Sequence, residues 1–213
     1  MTTPGITCVL VDIGGVLLTD GWGHTFRSKA AKTFDIDLHD LEERHEQAWA
    51  AHELGLITMD EYLDLVVFHC SRPFTKVAFT TFICGQSQAD PEMLELIGSI
   101  KRTHGIKVIV VSNEGRELNA YRIKTFYLEK LVDAFISSCY VHLRKPDPAM
   151  LRLALDVSQV SASHCVFIDN TPMHVQVAEK MGIRSILHSD YRSTAHQLDL
   201  LGVGRVNESS RVG

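Results

Sequence analysis

Residues Thr7–Leu17, TCVLVDIGGVL, decide the fold. Thr7–Asp12 is an unbroken apolar run with no polar alternation, the pattern of a strand buried on both faces of a parallel sheet. It ends on an acid, and Gly14-Gly15 follow at once. Outward from it, four further runs have the same character: Lys107–Ser112 (KVIVVS), Ala134–Ser138 (AFISS), Cys165–Asp169 (CVFID) and Arg184–His188 (RSILH). The stretches between them have helical periodicity. Pro91–Thr103 carries Met93, Leu94, Leu96, Ile97 and Ile100 at spacings of three and four, and Arg116–Leu131, Pro148–Val157 and Pro172–Met181 read the same way. Strand and helix in alternation predict an α/β fold, a doubly wound Rossmann-like parallel sheet with right-handed crossovers.

One interval breaks the alternation. Roughly 70 residues separate the first strand from the next helix–strand pair, too many for a structureless loop in a compact domain. Phe26, Ala30 and Phe34 are spaced by four, Tyr62, Leu63, Leu65 and Val66 form a second stripe, and Thr58 with Glu61 reads as a capping box. The charge-rich run Asp37–Glu46 reads as the solvated face of a helix. The expected organisation is a core of residues 1–20 and 89–213 with an inserted all-helical lobe of residues 21–88. The closing GVGRVNESSRVG is polar and glycine-rich and is expected to fray.

Composition narrows the partners. The chain has 21 Lys plus Arg against 26 Asp plus Glu, a net charge of −5. That argues against a nucleic acid or an anionic membrane, which would need a basic face. No apolar run approaches the ~18 residues that span a bilayer. The N-terminus lacks the basic lead and small-residue cleavage site of a signal peptide. Five scattered cysteines without CxxC spacing read as reduced thiols in a cytoplasmic protein, and eleven histidines without an HxxxH or HExxH pair give no zinc site.

The chemistry lies where the strands end. The first closes on Asp12, the second on Ser112-Asn113 and the fourth on Asp169-Asn170, while the third leads to Arg144-Lys145 just before a helix with Asp147 as N-cap and Pro148 as its first residue. In an open parallel sheet, ligands bind outside the carboxyl ends of the strands. Two carboxylates, a hydroxyl and a lysine meeting in one crevice suit phosphoryl chemistry with a divalent cation. Mg²⁺ fits, since one or two carboxylates hold it together with water and phosphate oxygens. With the phosphate charge screened, a carboxylate can attack phosphorus.

DIGGVL (Asp12–Leu17), VVSN (Val110–Asn113), RKPDP (Arg144–Pro148) and FIDNTP (Phe167–Pro172) resemble the four ordered motifs of the haloacid dehalogenase-like hydrolase superfamily. The insert is similar to the cap of its subfamily I, and GLITMDEYL (Gly55–Leu63) to its phosphatase members. The resemblance implies Asp12 as nucleophile, with Asp12, Asp169 and the backbone carbonyl of Gly14 around Mg²⁺. It implies Ser112 on the phosphate and Lys145 bridging phosphate and nucleophile. Asn113, Gly14 and Gly15 are further candidates on the phosphate side. Trp22 and His24, with Arg27, lie where the chain enters the cap and are candidates to line the pocket, with lobe packing as the alternative. The implied substrate is a small phosphorylated metabolite, with sugar phosphates as one class.

The sequence departs from the family pattern in the first and fourth motifs. Family phosphatases carry a second Asp two residues after the nucleophile, as general acid and base; here Gly14 stands there. That assistance is worth ~10²–10⁴-fold, so turnover is expected to be slow unless another group, such as His24 or Glu114, substitutes. The fourth motif has Asp169-Asn170 where an acidic pair is common, and His174 where Asn is usual. A 2-haloacid dehalogenase using the same nucleophile, and a binding protein that lost turnover with Gly14, are the competing readings.

Overall fold

The computed structural model describes residues 5–204. Five strands, β1 (Cys8–Val11), β2 (Lys107–Ser112), β3 (Ala134–Ser137), β4 (Cys165–Asp169) and β5 (Arg184–Leu187), form one sheet in the order β3-β2-β1-β4-β5. All four pairings are parallel, with Val11 opposite Val110 on one side and Ile168 on the other. The strand order reverses at β1, which is therefore the switch point of the sheet.

Alternate residues of each strand point to opposite faces, and both faces are covered. Val9 and Val11 pack with Met93, Leu96, Ile97 and Ile100 of α5 (Pro91–His104) and Leu198 of α10 (Tyr191–Leu200). Cys8 and Leu10 face Met150, Leu151 and Ala154 of α8 (Pro148–Ser158) and Ala178 of α9 (Pro172–Lys180). This two-sided burial is why the strands read as continuous apolar runs. Cys8, Cys139 and Cys165 are buried, and all five cysteines are free thiols. Among the described residues no helix is long and apolar enough to cross a membrane.

Between β1 and α5 the insert folds into four helices, α1 (His24–Phe34), α2 (Leu38–Glu53), α3 (Met59–Val66) and α4 (Lys76–Gly85), around their own apolar cluster. The capping box is present at α3: Thr58 accepts from the Glu61 N–H, and Glu61 accepts from the Thr58 N–H. In α2 the charged run behaves as expected, with Leu41, His45 and Ala48 turned inward and Glu43 and Glu46 exposed.

The long helix expected over Arg116–Leu131 is two pieces. α6 (Arg116–Thr125) stops, the chain turns through Tyr127 at φ 53°, and a short 3₁₀ turn (Leu128–Lys130) follows. Leu118 and Tyr121 pack on the helical lobe, whereas Phe126, Leu128 and Leu131 pack on the sheet core. One straight helix cannot aim these side chains at two different cores. The segment before Lys145, expected as plain loop, begins with a one-turn helix, α7 (Ser138–Val141). Asp147 caps α8 as expected, accepting from the Ala149 N–H. Most of the closing stretch expected to fray lies outside the described residues.

Candidate active site

Asp12 follows β1 directly, and its N–H still continues the ladder to the Ile168 carbonyl. Ser112 and Asp169 end β2 and β4, and the loop after α7 returns Lys145 to the same end of the sheet. Lys145 Nζ lies 2.8 Å from Asp12 Oδ2 and 2.5 Å from Asp169 Oδ2. The three side chains are 10%, 1% and 0% exposed in the order Asp12, Lys145, Asp169. Three segments distant in sequence thus bring their charges to one point.

These charges hold one another in place. Burial pushes the Asp12 carboxyl above the ordinary range, against the pull of Lys145. Burial also works against the charge on Lys145, yet Asp12 and Asp169 together raise its pKa. Asp169 is held low despite burial, because His174 and Lys145 both favour its ionised form. His174 Nδ1 is 3.1 Å from both Asp169 oxygens, and the Thr171 N–H donates to Oδ1 at 2.8 Å. Asp169 is therefore both a bonded acid at the start of α9 and a member of the charge cluster.

Asn113 has a defined task. Its Nδ2 donates to the Lys145 carbonyl (2.9 Å) and its Oδ1 accepts from the Lys145 N–H (2.8 Å), so one amide clamps the backbone of the lysine. Ser112 is almost fully buried, with its hydroxyl 3.5 Å from Glu114 Oε1; the cap of α6 is Gly115, not Ser112.

A cavity of about 340 Å³ opens over this cluster, lined by Asp12, Gly14, Asn113 and His174 from the sheet side and by Trp22, His24, Trp49 and Glu53 from the helical lobe. A second cavity of about 920 Å³ lies between α1 and α2 and shares His24, Arg27, Trp49 and Arg144 with the first. The entry residues double as lobe structure. Trp22 Nε1 donates to Tyr62 Oη at 2.9 Å, His24 Nδ1 is 2.9 Å from Glu42 Oε1, and Arg27 pairs with Glu42. Gly15 lines a different groove; its φ is +74°, and a Cβ there would stand 2.1 Å from Asn170 Nδ2. Its role is the tight turn.

Arg122, Glu53 and Asp20 line the cavity but were not among the sequence candidates. Buried Arg122 pairs with Glu114 and also donates to Ser87 Oγ (3.1 Å), the Thr19 carbonyl (3.2 Å) and the Asp20 carbonyl (2.8 Å). It therefore ties both ends of the insert to α6. Glu53 pairs with Arg144 at 2.7 Å. No local motif marks these residues; only the lobe's position over the sheet brings them together.

Among the described residues, no group of three or more His, Cys, Asp or Glu side chains is gathered as a metal cage. A cage of that kind is not what Mg²⁺ requires. Asp12 and Asp169 already direct one oxygen each at a shared cation, the Lys145 ammonium, and this hard-oxygen pair beside the Gly14 backbone fits a magnesium ion with its own waters.

The phosphatase MT3486 of Mycobacterium tuberculosis (strain CDC 1551 / Oshkosh) is 24% identical over 198 residues, 85% of this chain and 87% of that protein. Drimenol cyclase drtB of Aspergillus calidoustus is 24% identical over 197 residues, 91% of this chain but 36% of the cyclase, so the chain spans about a third of that relative. The HAD family enzyme bt-2542 of Bacteroides thetaiotaomicron, solved in complex with magnesium and inorganic phosphate, superposes with a TM-score of 0.71 at 20% identity, covering 87% of this chain and 95% of that one. The L-2-haloacid dehalogenase of Xanthobacter autotrophicus with chloropropionic acid covalently bound gives 0.61 at 14% identity, covering 93% and 84%. At such identities the structural likeness speaks for the fold. The sequence pattern of the family itself matches residues 6–182. This chain belongs to the haloacid dehalogenase-like hydrolases.

Proposed function

We propose that the chain is a Mg²⁺-dependent hydrolase of small phosphate monoesters, working through a phosphorylated Asp12. The observation that carries this reading is Lys145 held between Asp12 and Asp169, with Asp12 reaching the cavity between the sheet end and the helical lobe. A cation fixed beside a nucleophilic carboxylate offsets the charge of an incoming phosphate, and it is in place before the substrate arrives. Arg144 lines the same cavity with a buried Nε that has no hydrogen-bond partner, a donor suited to an anion. The phosphatase relative and the magnesium–phosphate complex of the structural neighbour support the same chemistry.

In this reading Asp12 Oδ attacks phosphorus, Lys145 neutralises both nucleophile and phosphate, and Ser112 contributes its hydroxyl to the phosphate. Asn113 acts by positioning Lys145. Asp12, Asp169 and the Gly14 carbonyl would hold Mg²⁺, which supplies charge neutralisation at the phosphoryl group. Residues 21–88 serve as a cap over the core of residues 1–20 and 89–213, and their cavity walls select the leaving group.

The test is phosphate release from a panel of phosphate esters with MgCl₂, with EDTA, and with Asp12→Asn. Release should vanish in EDTA and fall to background in Asp12→Asn. Undiminished release in EDTA, or wild-type rates in Asp12→Asn, would overturn the reading. Halide release from 2-haloacids without ester hydrolysis would instead establish the dehalogenase reaction.

A further inference from the structure

We propose that Asp20 supplies the proton transfers for which Gly14 has no side chain, an inference that rests on the phosphatase reading above. A Cβ built on Gly14 would stand 3.5 Å from Asp20 Oδ1 and 3.8 Å from Asp20 Cα. A carboxylate carried by residue 14 and the carboxylate of Asp20 would therefore occupy the same corner of the cavity that holds Asp12. The acid is reached from a position eight residues after the nucleophile instead of two.

The position of Asp20 is built by its surroundings. Arg122 Nη2 donates to the carbonyls of Thr19 and Asp20, fixing the backbone from a fully buried guanidinium. Gly23 has an ordinary φ of −68°, so its conformation does not call for glycine. Space does: a Cβ there would lie 2.0 Å from Asp20 Oδ2 and displace the carboxylate. Gly23 thus leaves the room that this one side chain uses.

The other acids and bases of the cavity are already committed. Glu114 is paired with Arg122 and nearly inaccessible, Glu53 with Arg144, His24 with Glu42, and His174 with Asp169. Among the described residues, the Asp20 carboxylate has no hydrogen bond or ion pair, and it is exposed to the cavity. An unengaged, solvent-reachable carboxylate in the cavity that Asp12 lines is the kind of group an acid–base role calls for.

The proton balance closes. Asp12 attacks phosphorus, the bond from phosphorus to the leaving oxygen breaks, and that oxygen takes the proton of the Asp20 carboxylic acid to depart as an alcohol. The Asp20 carboxylate then takes a proton from water as the water oxygen attacks phospho-Asp12. The Asp12–phosphorus bond breaks, phosphate leaves, and Asp20 is again protonated.

The experiment compares two esters, 4-nitrophenyl phosphate, whose leaving oxygen departs without a proton, and glycerol phosphate, whose alkoxide needs one. In Asp20→Asn, kcat/KM for the alkyl ester should fall by ~100-fold or more, and for the nitrophenyl ester by less than ~10-fold. Retained nitrophenyl turnover shows that the variant folds. Nitrophenolate should appear as a burst, because phospho-Asp12 then waits for unassisted water. Adding Gly14→Asp to Asp20→Asn should restore alkyl-ester turnover by at least ~10-fold. Equal losses on both esters, or no loss, would overturn the role of Asp20 alone. Wild-type protein releasing phosphate from neither ester would overturn the phosphatase reading and this role with it.

Discussion

The carboxyl end of the sheet and the interior of the helical lobe both bury polar groups, and they do so in opposite states. At the sheet, Lys145 and Asp169 are buried and shifted toward their charged forms by their partners, while burial raises the Asp12 carboxyl against the pull of Lys145. In the lobe, Trp22, His45 and Tyr62 are buried as neutral groups. Trp22 Nε1 donates to Tyr62 Oη, which leaves the hydroxyl proton for His45 Nδ1 at 2.8 Å, an arrangement that suits a neutral imidazole. Burial, reinforced by Arg27, pushes His45 down to about 4, and burial raises the Tyr62 phenol. Burial alone drives a group neutral; a fixed counter-charge within contact distance keeps it ionised. The sheet end has two groups held this way, Lys145 and Asp169, beside an Asp12 that burial and counter-charge pull in opposite directions.

The strongest way to break this contrast is to remove the cation from the sheet. Lys145→Met leaves buried Asp12 and Asp169 without the cation they share, with only His174 remaining on Asp169. Breaking a buried pair in this way costs about 3–5 kcal/mol. Losing the positive group at the phosphate site should lower phosphate release by at least ~10²–10³-fold. Urea unfolding and the ester assay measure the two effects separately. A Lys145→Met protein as stable as wild type would show that charge balance is not what keeps this end of the sheet together.

Arg122 tests the junction between the regions. It is the buried guanidinium that joins Glu114 of the sheet side to Thr19, Asp20 and Ser87 at the two ends of the insert. Burial has already pushed Glu114 up to about 7, in spite of Arg122. Without the arginine, Glu114 takes up a proton instead of staying charged, so Arg122→Met should cost about 3 kcal/mol, the lower end for a broken buried pair. The loss should be nearly abolished by the double change Arg122→Met with Glu114→Leu, read from the same urea curves. If the double variant is no more stable than the single one, the tethers to the insert matter more than the unpaired acid.

What was legible in the sequence follows from the same contrast. Strands covered on both faces must be apolar throughout, so an acid or hydroxyl at their ends stands out, and Asp12, Ser112 and Asp169 were found that way. Lys145 was marked by its place between β3 and the Asp147-Pro148 helix start. Asp20, Glu53 and Arg122 carried no such mark, because each acquires its neighbours only when the lobe sits on the sheet. The break in α6 was hidden for a related reason: periodicity records that residues are apolar, not which of two cores they serve. α10 passed unnoticed because it buries only Thr194 and Leu198, four apart, too few for a stripe. Gly14 was legible as a missing acid, but the nearness of Asp20 to it follows only from the fold.

The smallest expected effect lies on the lobe side and sharpens the comparison through pH. His45 is held neutral with a folded-state pKa of about 4, against 6.5 in the unfolded chain. Between these values the unfolded chain binds a proton that the folded chain does not, so stability rises with pH and is lost on acidification from about 6.5 towards 4. At pH 5 the deficit relative to pH 7 is about 2 kcal/mol from this residue. Asp169 contributes with the same sign, because its pKa is depressed and its stabilisation is lost as pH falls. The carboxylate's loss, however, sets in only below its unfolded value of 3.8. From pH 6.5 to 5, His52 and His188, both lowered by burial, add to the same slope, while the buried acids Glu114, pushed up to about 7, and Glu53, also raised, oppose it. The share of His45 is therefore the difference between wild type and His45→Gln. Thermal midpoints of wild type and His45→Gln across that window measure the effect. The wild-type slope should flatten in the variant, and an unchanged slope would mean that His45 is not held neutral by its burial against Tyr62.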